Sequence, residues 1–397
     1  MKILLITAYF YPEQFKSTDL AYSLKEIGHE VSVLTGIPNY PQGKIYEGYS
    51  NITHTGYSKL NGINIYRAFT LPRGKNSFSL FLNYFSILLS FSFFSIFLRF
   101  KSFEKVIFIG FSPGLLAFVN IFFKRLFHKN PQSTLWLQDF WPDDLISTGF
   151  FKDNSWFINL NHKIMKLVYK TYDRLMATSE GMKAELEKRT EGQVTRVFNP
   201  VEKDLFNLMI NTKKPVLKKA EKIKIMFVGN VSGNQNIENV LKAFESETIR
   251  EKAEIHFYTH GTRKVDLVKT YSDFYSQSIK IMGSLAIKDL FFASHDYDFG
   301  LVSLSDFENL KHILPSRVQT LVSMGLPLLS FGSLETSNLI SIFENGIAVD
   351  KCDFISFQKG ISKASATSSK ERLNFSKNSI RLANDLFSPN LIAQSFI

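Results

Sequence analysis

The segment Leu314-Pro315-Ser316-Arg317 is equipped to hold an anion. It opens a stretch, Ser316–Met324, with the pattern of a helix. Pro315 suits the first helical turn, where its missing N–H is not needed. Ser316 and Arg317 then present free amides at a helix N-terminus, and Arg317 adds a fixed positive charge. Phosphate fits this set; an ordinary capped helix with a surface arginine uses the same residues. Gly229-Asn230-Val231-Ser232-Gly233 follows a strand, Lys224–Val228, and its glycines let the backbone turn close to a phosphate, although a strand-to-helix turn needs glycine in any case. Asp139 ends another apolar strand, before Phe140-Trp141-Pro142. A carboxylate there can orient a hydroxyl or stabilise developing positive charge, or it can cap a turn. Asp296-Tyr297-Asp298 has the spacing of a metal-binding triplet, but it directly precedes the strand Phe299–Leu304, and a polar start to a strand accounts for it. Cys352 is the only cysteine, which argues against a Cys-based metal site, and no metal is expected. A lone thiol makes no internal disulfide and suits a reducing compartment.

These residues need a scaffold, and the hydrophobic pattern supplies one. In the first half, apolar runs read as strands at Ile3–Thr7, Glu30–Thr35, Ile63–Arg67, Val106–Ile109, Thr134–Leu137, Arg174–Ala177 and Thr195–Phe198, with a helix over Ser17–Ile27. Lys213–Lys224 is charged, lacks an apolar face and reads as a linker. A second series follows: strands at Lys224–Val228, Ile255–Tyr258, Ile279–Met282, Phe299–Leu304 and Leu326–Ser330, and helices from Asn236 and Ser316. The last segment, from about Lys370, is helical with a break at Ser388-Pro389. Repeated strand–helix–strand units give parallel sheets covered by helices, with ligands beyond the carboxyl ends of the strands. A chain of 397 residues exceeds one core, so two domains are expected. A composition 45% hydrophobic and 21% charged excludes disorder. Met1–Ile6 reads as a buried first strand and not as a signal peptide, because the apolar run is short and no small-residue cleavage site follows.

The charge is unevenly placed. The chain carries +11, and Lys59–Arg174 holds fifteen Lys and Arg against six Asp and Glu, a local +9. The same segment contains Ser77–Leu98, twenty-two residues without a charge, flanked by Arg73, Lys75, Arg99 and Lys101. Its length permits a membrane span. Seven of those residues are Ser or Asn, however, and Ser79, Asn83, Ser86 and Ser90 recur at helical spacing as one polar stripe. A core-facing helix and a helix in the membrane interface both use such a stripe; a spanning helix gains little from it. The basic residues alternate with Phe and Leu and form no groove of Arg and stacked aromatics, so nucleic acid is not an expected partner.

Four segments taken together resemble glycosyltransferase family 4. They are Tyr9-Phe10-Tyr11-Pro12-Glu13; Gly36-Ile37-Pro38-Asn39-Tyr40-Pro41-Gln42-Gly43-Lys44; Leu137-Gln138-Asp139-Phe140-Trp141-Pro142; and Leu314-Pro315-Ser316-Arg317 with Met324-Gly325-Leu326-Pro327. The look is that of the fucosaminyltransferase-like amino-sugar transferases of bacterial O-antigen and capsule synthesis, and it runs, with gaps, over nearly the whole chain. The resemblance implies an α/β fold of GT-B type, two Rossmann-like domains facing a cleft. An acceptor-binding domain then spans 1–212, a linker 213–224, a nucleotide-sugar-binding domain 225–375, and a C-terminal helix, 376–397, packs back on the first domain.

The resemblance also implies an activity: transfer of an N-acetylated amino sugar, such as N-acetyl-fucosamine, from a UDP-sugar to a lipid-linked saccharide. Anomeric configuration is retained, and no metal or other cofactor is used. In the second domain it assigns the donor phosphates to Pro315, Ser316 and Arg317, with Gly229, Asn230, Thr320 and the His260-Gly261-Thr262-Arg263 loop nearby, Gly261 and Arg263 above all. In the first it lets Lys16 reach the diphosphate, makes Asp139 the catalytic candidate that orients the acceptor hydroxyl or stabilises an oxocarbenium-like transition state, and puts Tyr11, Pro38, Asn39 and Tyr40 on the acceptor wall. Two departures stand out. His312 and Thr320 occupy the positions of a Glu pair common in the family, and the loop after Gly229 carries Asn230 and Gln235 where cations are common. A sugar-nucleotide epimerase of the same fold, and a non-catalytic scaffold partner, are the alternatives. The expected location is peripheral, at the inner face of the plasma membrane, with the 77–101 region on the membrane surface.

Overall fold

Six consecutive residues, Lys2–Thr7, five of them buried, form β1, and the pattern recurs along the chain. In the computed structural model the strands of the first half are β1, β2 (Glu30–Thr35), β3 (Gly56–Leu60), β4 (Ile63–Arg67), β5 (Lys105–Gly110), β6 (Gln132–Leu137), β7 (Arg174–Ala177) and β8 (Val194–Arg196). They make one sheet in the order β3-β4-β2-β1-β5-β6-β7-β8. Near-continuous apolar runs suit strands buried on both faces, which is why β1 and β5 lack polar alternation. The second half contributes β9 (Ile223–Val228), β10 (Ala253–Tyr258), β11 (Ile279–Ile281), β12 (Phe299–Ser303), β13 (Leu328–Phe331) and β14 (Gly346–Val349), all parallel, in the order β11-β10-β9-β12-β13-β14. The structure is described for the whole chain apart from residues 14, 75, 99–101, 111–118, 121–130, 144–154, 191, 213–220, 232, 260–264 and 308–309. Most of the expected linker, 213–224, therefore lies outside the described residues.

Helices used below are α1 (Lys16–Glu26), α2 (Ser77–Leu98), α3 (Trp156–Tyr169), α4 (Glu180–Thr190), α5 (Lys203–Asn211), α6 (Ile237–Ala243), α7 (Arg317–Ser323), α8 (Phe354–Ser365), α9 (Ser369–Phe387) and α10 (Pro389–Gln394). Local signals set several ends. Ser368 and Glu371 form a reciprocal capping box at the start of α9. That helix stops at Ser388, the residue before Pro389, where the α conformation is disfavoured.

The chain divides into two units, Met1–Phe198 with Asn390–Ile397, and Asn199–Pro389. The sequence reading placed the first boundary at 212. The structure moves it back because α5, with Leu205 and Met209 buried, packs against the helix Ile287–Ala293 and against α7, both in the second unit. It also divides the C-terminal segment: α9 packs on α7, and only the last eight residues join the first unit. There Phe396 meets the Trp136 ring edge-on at 5.1 Å, and Lys105 Nζ donates to the Phe396 carbonyl at 3.1 Å. Each unit has its own core. One gathers Leu4, Phe108 and Leu135 with Phe91 of α2 and Met165 of α3; the other gathers Ile225, Phe257 and Phe299 with Leu241 of α6 and Phe357 of α8.

One strand departs from the all-parallel expectation. β3 runs antiparallel to β4, joined by Asn61-Gly62, both with positive φ (48° and 79°). An Asn-Gly pair matches the twist of a two-residue hairpin.

Candidate functional site

In the second unit, strands leave β9 in both directions, β10 on one side and β12 on the other. Ligands of open parallel sheets sit at such a switch point, beyond the strand carboxyl ends. Two loops meet there. Ser305, after β12, donates its amide to the Asn234 carbonyl at 2.9 Å and its hydroxyl to the Gly233 carbonyl at 2.6 Å. Gly229 leaves β9 at φ 106°, a conformation that L side chains rarely adopt, and its amide donates to the Tyr258 carbonyl at 3.0 Å. Arg317, the first residue of α7, lies with its guanidinium carbon 4.2 Å from the Phe227 ring centroid. Its Nη2 comes within 3.8 Å of where a Gly229 Cβ would stand.

Arg317 is the unusual group here. Its Nη1 is enclosed by protein and has no hydrogen-bond partner, and no carboxylate pairs with it among the described residues. Burial lowers its pKa to about 10, which still leaves it charged at neutral pH. A half-buried, charged guanidinium stacked on an aromatic ring, with no carboxylate of the protein paired to it among the described residues, is suited to bind an anion. α7 has seven residues, and Ser316 caps it without a side-chain hydrogen bond, so the guanidinium and not the helix end is the principal anion-binding feature. Ser316 and Asn230 are exposed; Pro315 and Thr320 are half-buried. Gly261 and Arg263 lie outside the described residues. A groove of about 550 Å³ opens beside Gly332, Ser333, Ser337 and Cys352, after β13 and β14, but none of the sequence-derived donor residues lines it.

The Asp296-Tyr297-Asp298 triplet is used inside the fold. Asp298 Oδ2 accepts from the Lys224 amide at 2.8 Å, and its Oδ1 lies 3.3 Å from Arg372 Nε in α9, with both side chains buried. The Tyr297 hydroxyl meets His256 Nδ1 at 2.6 Å. Among the described residues, no three His, Cys, Asp or Glu group to hold a metal ion.

In the first unit the loops after β1, β2 and β4 interlock. Glu13, 3% exposed, is the centre. Its Oε1 accepts from the Asn39 and Tyr40 amides, both at 2.8 Å, and its Oε2 from the Phe10 amide at 3.3 Å. Burial raises its pKa to about 7, against the opposing pull of those three amides and of Arg67. Arg67, at the end of β4, is buried and donates to the carbonyls of Gly36 (3.2 Å) and Tyr11 (2.5 Å). Arg73 donates to the Tyr9 hydroxyl at 2.9 Å and lies over the Tyr40 ring at 5.3 Å. Tyr9 also stacks on Phe15, with centroids 4.6 Å apart.

The structure thus brings Tyr11, Pro38, Asn39 and Tyr40 together, but not all as wall residues. Pro38 and Asn39 are buried. Asn39 spends its side chain on the fold, donating to the Ile37 carbonyl at 2.8 Å and accepting from the Arg73 amide at 3.0 Å. These two shape the loop; exposed Tyr11 and half-buried Tyr40 remain for a ligand. Lys16 opens α1 and lies 3.9 Å from Asp19. Asp139 is half-buried after β6, two strands from β1 and so about 10 Å away across the sheet. Beside it, Phe140 packs under Arg189 of α4 at 4.3 Å, and Arg189 binds Asp143 at 2.5 Å. Glu13, Arg67, Arg73 and Arg189 were not singled out by sequence reasoning. Glu13 was visible only as part of a motif; Arg67 and Arg73 carry no local signal because the groups they bind lie 31 to 64 residues away, and Arg189 pairs locally with Glu185 but reaches Asp143 46 residues away.

No family model matches the chain. Over 225 residues it is 24% identical to a Pseudomonas aeruginosa protein described as "Probable glycosyltransferase WbjE", a match covering 55% of this chain and 52% of the relative. The chain thus matches about half the length of that relative. Solved structures are similar over almost the full length. Sucrose-phosphate synthase from Thermosynechococcus elongatus superposes with a TM-score of 0.72 at 13% identity, covering 99% of this chain and 96% of that one. WaaG, a glycosyltransferase involved in lipopolysaccharide biosynthesis, gives 0.62 at 12%, covering 99% of each chain. Anabaena HepE in complex with UDP gives 0.66 at 11%, covering 100% and 98%. The two Rossmann-like units with their parallel sheets have the GT-B fold.

Proposed function

We propose that the protein is a glycosyltransferase whose second unit holds a nucleoside-diphosphate sugar by Arg317 and whose first unit presents the acceptor. The observation that carries this reading is the guanidinium of Arg317 at the switch point, unpaired with any carboxylate among the described residues, beside a glycine that keeps the approach open. A diphosphate leaving group gathers negative charge as the glycosidic bond breaks, and a fixed cation stabilises that charge more in the transition state than in the ground state. Gly229, Asn230, Ser316, Thr320, Gly261 and Arg263 complete the donor side in this reading, and Lys16 adds a second cation. Tyr11 and Tyr40 form the acceptor wall, and Asp139 orients the acceptor hydroxyl or stabilises the oxocarbenium-like transition state. UDP is the proposed nucleotide, an N-acetylated amino sugar the proposed cargo and a lipid-linked saccharide at the inner membrane face the proposed acceptor. Transfer proceeds with retention and without a metal. The likeness to WbjE, and the UDP held by HepE, support the class and the nucleotide.

Arg317→Ala is expected to weaken UDP binding and turnover by about 10- to 100-fold, the worth of a charge-assisted contact to phosphate, with Arg317→Lys in between. Unchanged affinity and turnover in Arg317→Ala would remove the donor site from this position. Incubation with the sugar nucleotide alone separates transfer from epimerisation, which needs no acceptor.

A further inference from the structure

Helix α2 is built inside out. Its polar stripe faces the protein and its aromatic face points away. Phe78, Phe81, Phe85, Leu89, Phe93 and Phe97 are each between 47% and 70% exposed and follow one another at helical spacing. Asn83, Ser86, Ile87, Phe91, Ser95 and Leu98 are buried on the opposite side. A spanning helix in lipid would not dedicate one side to a protein core in this way. The exposed line runs along a helix of 22 residues, about 33 Å long, and carries no hydrogen-bonding side chain. Protein interfaces carry a polar rim and about one hydrogen bond per 100–200 Å², which this line does not offer. Positive charge flanks it instead: Lys75 immediately before, Arg99 and Lys101 immediately after. In the same unit α3 exposes Trp156, Leu160 and Leu167, with Lys163 and Lys170 exposed on either side of Leu167, a composition that fits the headgroup layer.

The buried stripe leads to the acceptor loops. Asn83 Nδ2 donates to the Leu71 carbonyl at 2.5 Å, and the Leu71 amide donates to Ser86 Oγ at 3.0 Å. Both groups of one peptide residue are therefore held by α2. Ser79, in the first turn, packs on Gly74 so closely that a Cβ there would stand 2.1 Å from its hydroxyl. The Gly74 amide donates to the Gly43 carbonyl at 2.9 Å, and a Cβ on Gly43 would stand 2.4 Å from the Gly74 carbonyl oxygen. Between these, the Arg73 amide donates to Asn39 Oδ1 and its side chain to Tyr9. Every step from α2 to the Gly36–Lys44 loop is a direct contact.

We infer that the outward face of α2 seats on an anionic bilayer, and that Ser79, Asn83 and Ser86 transmit that seating to the Gly36–Lys44 loop, as positioning residues for a lipid-borne acceptor. This rests on the acceptor side of the function proposed above. Docking and ordering of the loop then occur together, so the acceptor wall is set when the enzyme is on the membrane.

Two measurements without any sugar donor test it. In sedimentation with phosphatidylglycerol vesicles at low salt, the wild type is expected to pellet, and phosphatidylcholine vesicles are expected to hold it at least tenfold less well. A Phe81→Ser/Phe85→Ser/Phe93→Ser variant, changed only at exposed positions, is expected to stay in solution. Hydrogen exchange at the amides of Asn39, Tyr40, Gly43, Leu71, Arg73 and Gly74 is expected to slow on phosphatidylglycerol vesicles. In Asn83→Leu/Ser86→Ala the vesicle binding is expected to persist while that slowing is lost; Ser86→Ala alone, which removes only the acceptor for the Leu71 amide, serves if the double variant does not fold. Equal binding of the two lipids, pelleting of the triple Phe variant, or self-association of the wild type through this face without vesicles would overturn the docking. Exchange rates indifferent to vesicles, or slowing that survives Ser86→Ala, would overturn the coupling. Neither readout involves transfer, so failure here is distinguishable from failure of the Arg317 experiments.

Discussion

Glu13 and Arg317 are opposite solutions to burying a charge. Glu13 is surrounded by three backbone amides and carries the loops of the first unit; Arg317 has a π face and an unfilled hydrogen-bonding edge. Their pKa shifts have different consequences. Glu13 is raised from 4.5 to about 7, so between those values the folded protein binds a proton that the unfolded chain has released. Its contribution to stability is present in full below pH 4.5 and is lost as pH rises through 7, on the order of 3 kcal/mol across the window. Melting temperatures measured from pH 5 to pH 8 are expected to fall more in the wild type than in Glu13→Gln, whose neutral amide keeps an acceptor for Asn39 and Tyr40; parallel curves would show that Glu13 does not titrate there. Arg317 stands out in the sequence as a candidate because its surroundings are local, a proline and a serine before a short helix. Glu13 does not, because nothing within a few residues shows that the loop after β2 folds onto it. Asn39 failed as a wall residue for the same reason: its partners Ile37 and Arg73 consume its side chain.

Among the elements, strands with a buried apolar pattern were readable to within a residue or two, as β2, β4 and β7 illustrate. β3 and β14 were not. β3, Gly-Tyr-Ser-Lys-Leu, is an exposed edge strand with no apolar alternation, and its signal was the Asn61-Gly62 turn. β14, Gly-Ile-Ala-Val, is four residues long and half-exposed. Its Gly346 passes so close to Leu328 that a Cβ would stand 2.0 Å from the Leu328 carbonyl oxygen, a constraint invisible in one dimension. The polar stripe of α2 was readable, but the direction it faces needed the Leu71 contacts. At this scale the Asp298–Arg372 pair joins the start of β12 to α9. Asp298→Ala is expected to destabilise the second unit by about 3–5 kcal/mol, because it strands a buried guanidinium. Activity of the wild type is expected to be insensitive to chelators. Chelator-sensitive turnover together with a stable Asp298→Ala protein would return the triplet to metal chemistry.

For the molecule as a whole, the proposed ligand and the segment Asn390–Ile397 belong to different units. UDP or a UDP-sugar at a hundred times its dissociation constant is expected to stabilise the native state by about 2.7 kcal/mol, read as a rise in melting temperature; Arg317→Ala cuts that stabilisation to about 0.4–1.4 kcal/mol at the same concentration. Phe396→Ala removes a fully buried ring from the core of the first unit and is expected to cost about 3–5 kcal/mol without weakening UDP binding. The same contact sets an order of events during synthesis. Trp136 and Lys105 are made early, but the residues that cover them, Phe396 and its neighbours, follow only after the whole of Asn199–Pro389. At about 5–20 residues per second, a ribosome takes roughly 10–40 s to translate that stretch. Throughout that interval the first unit waits with an aromatic surface uncovered, a dwell time in which a chaperone has something to hold.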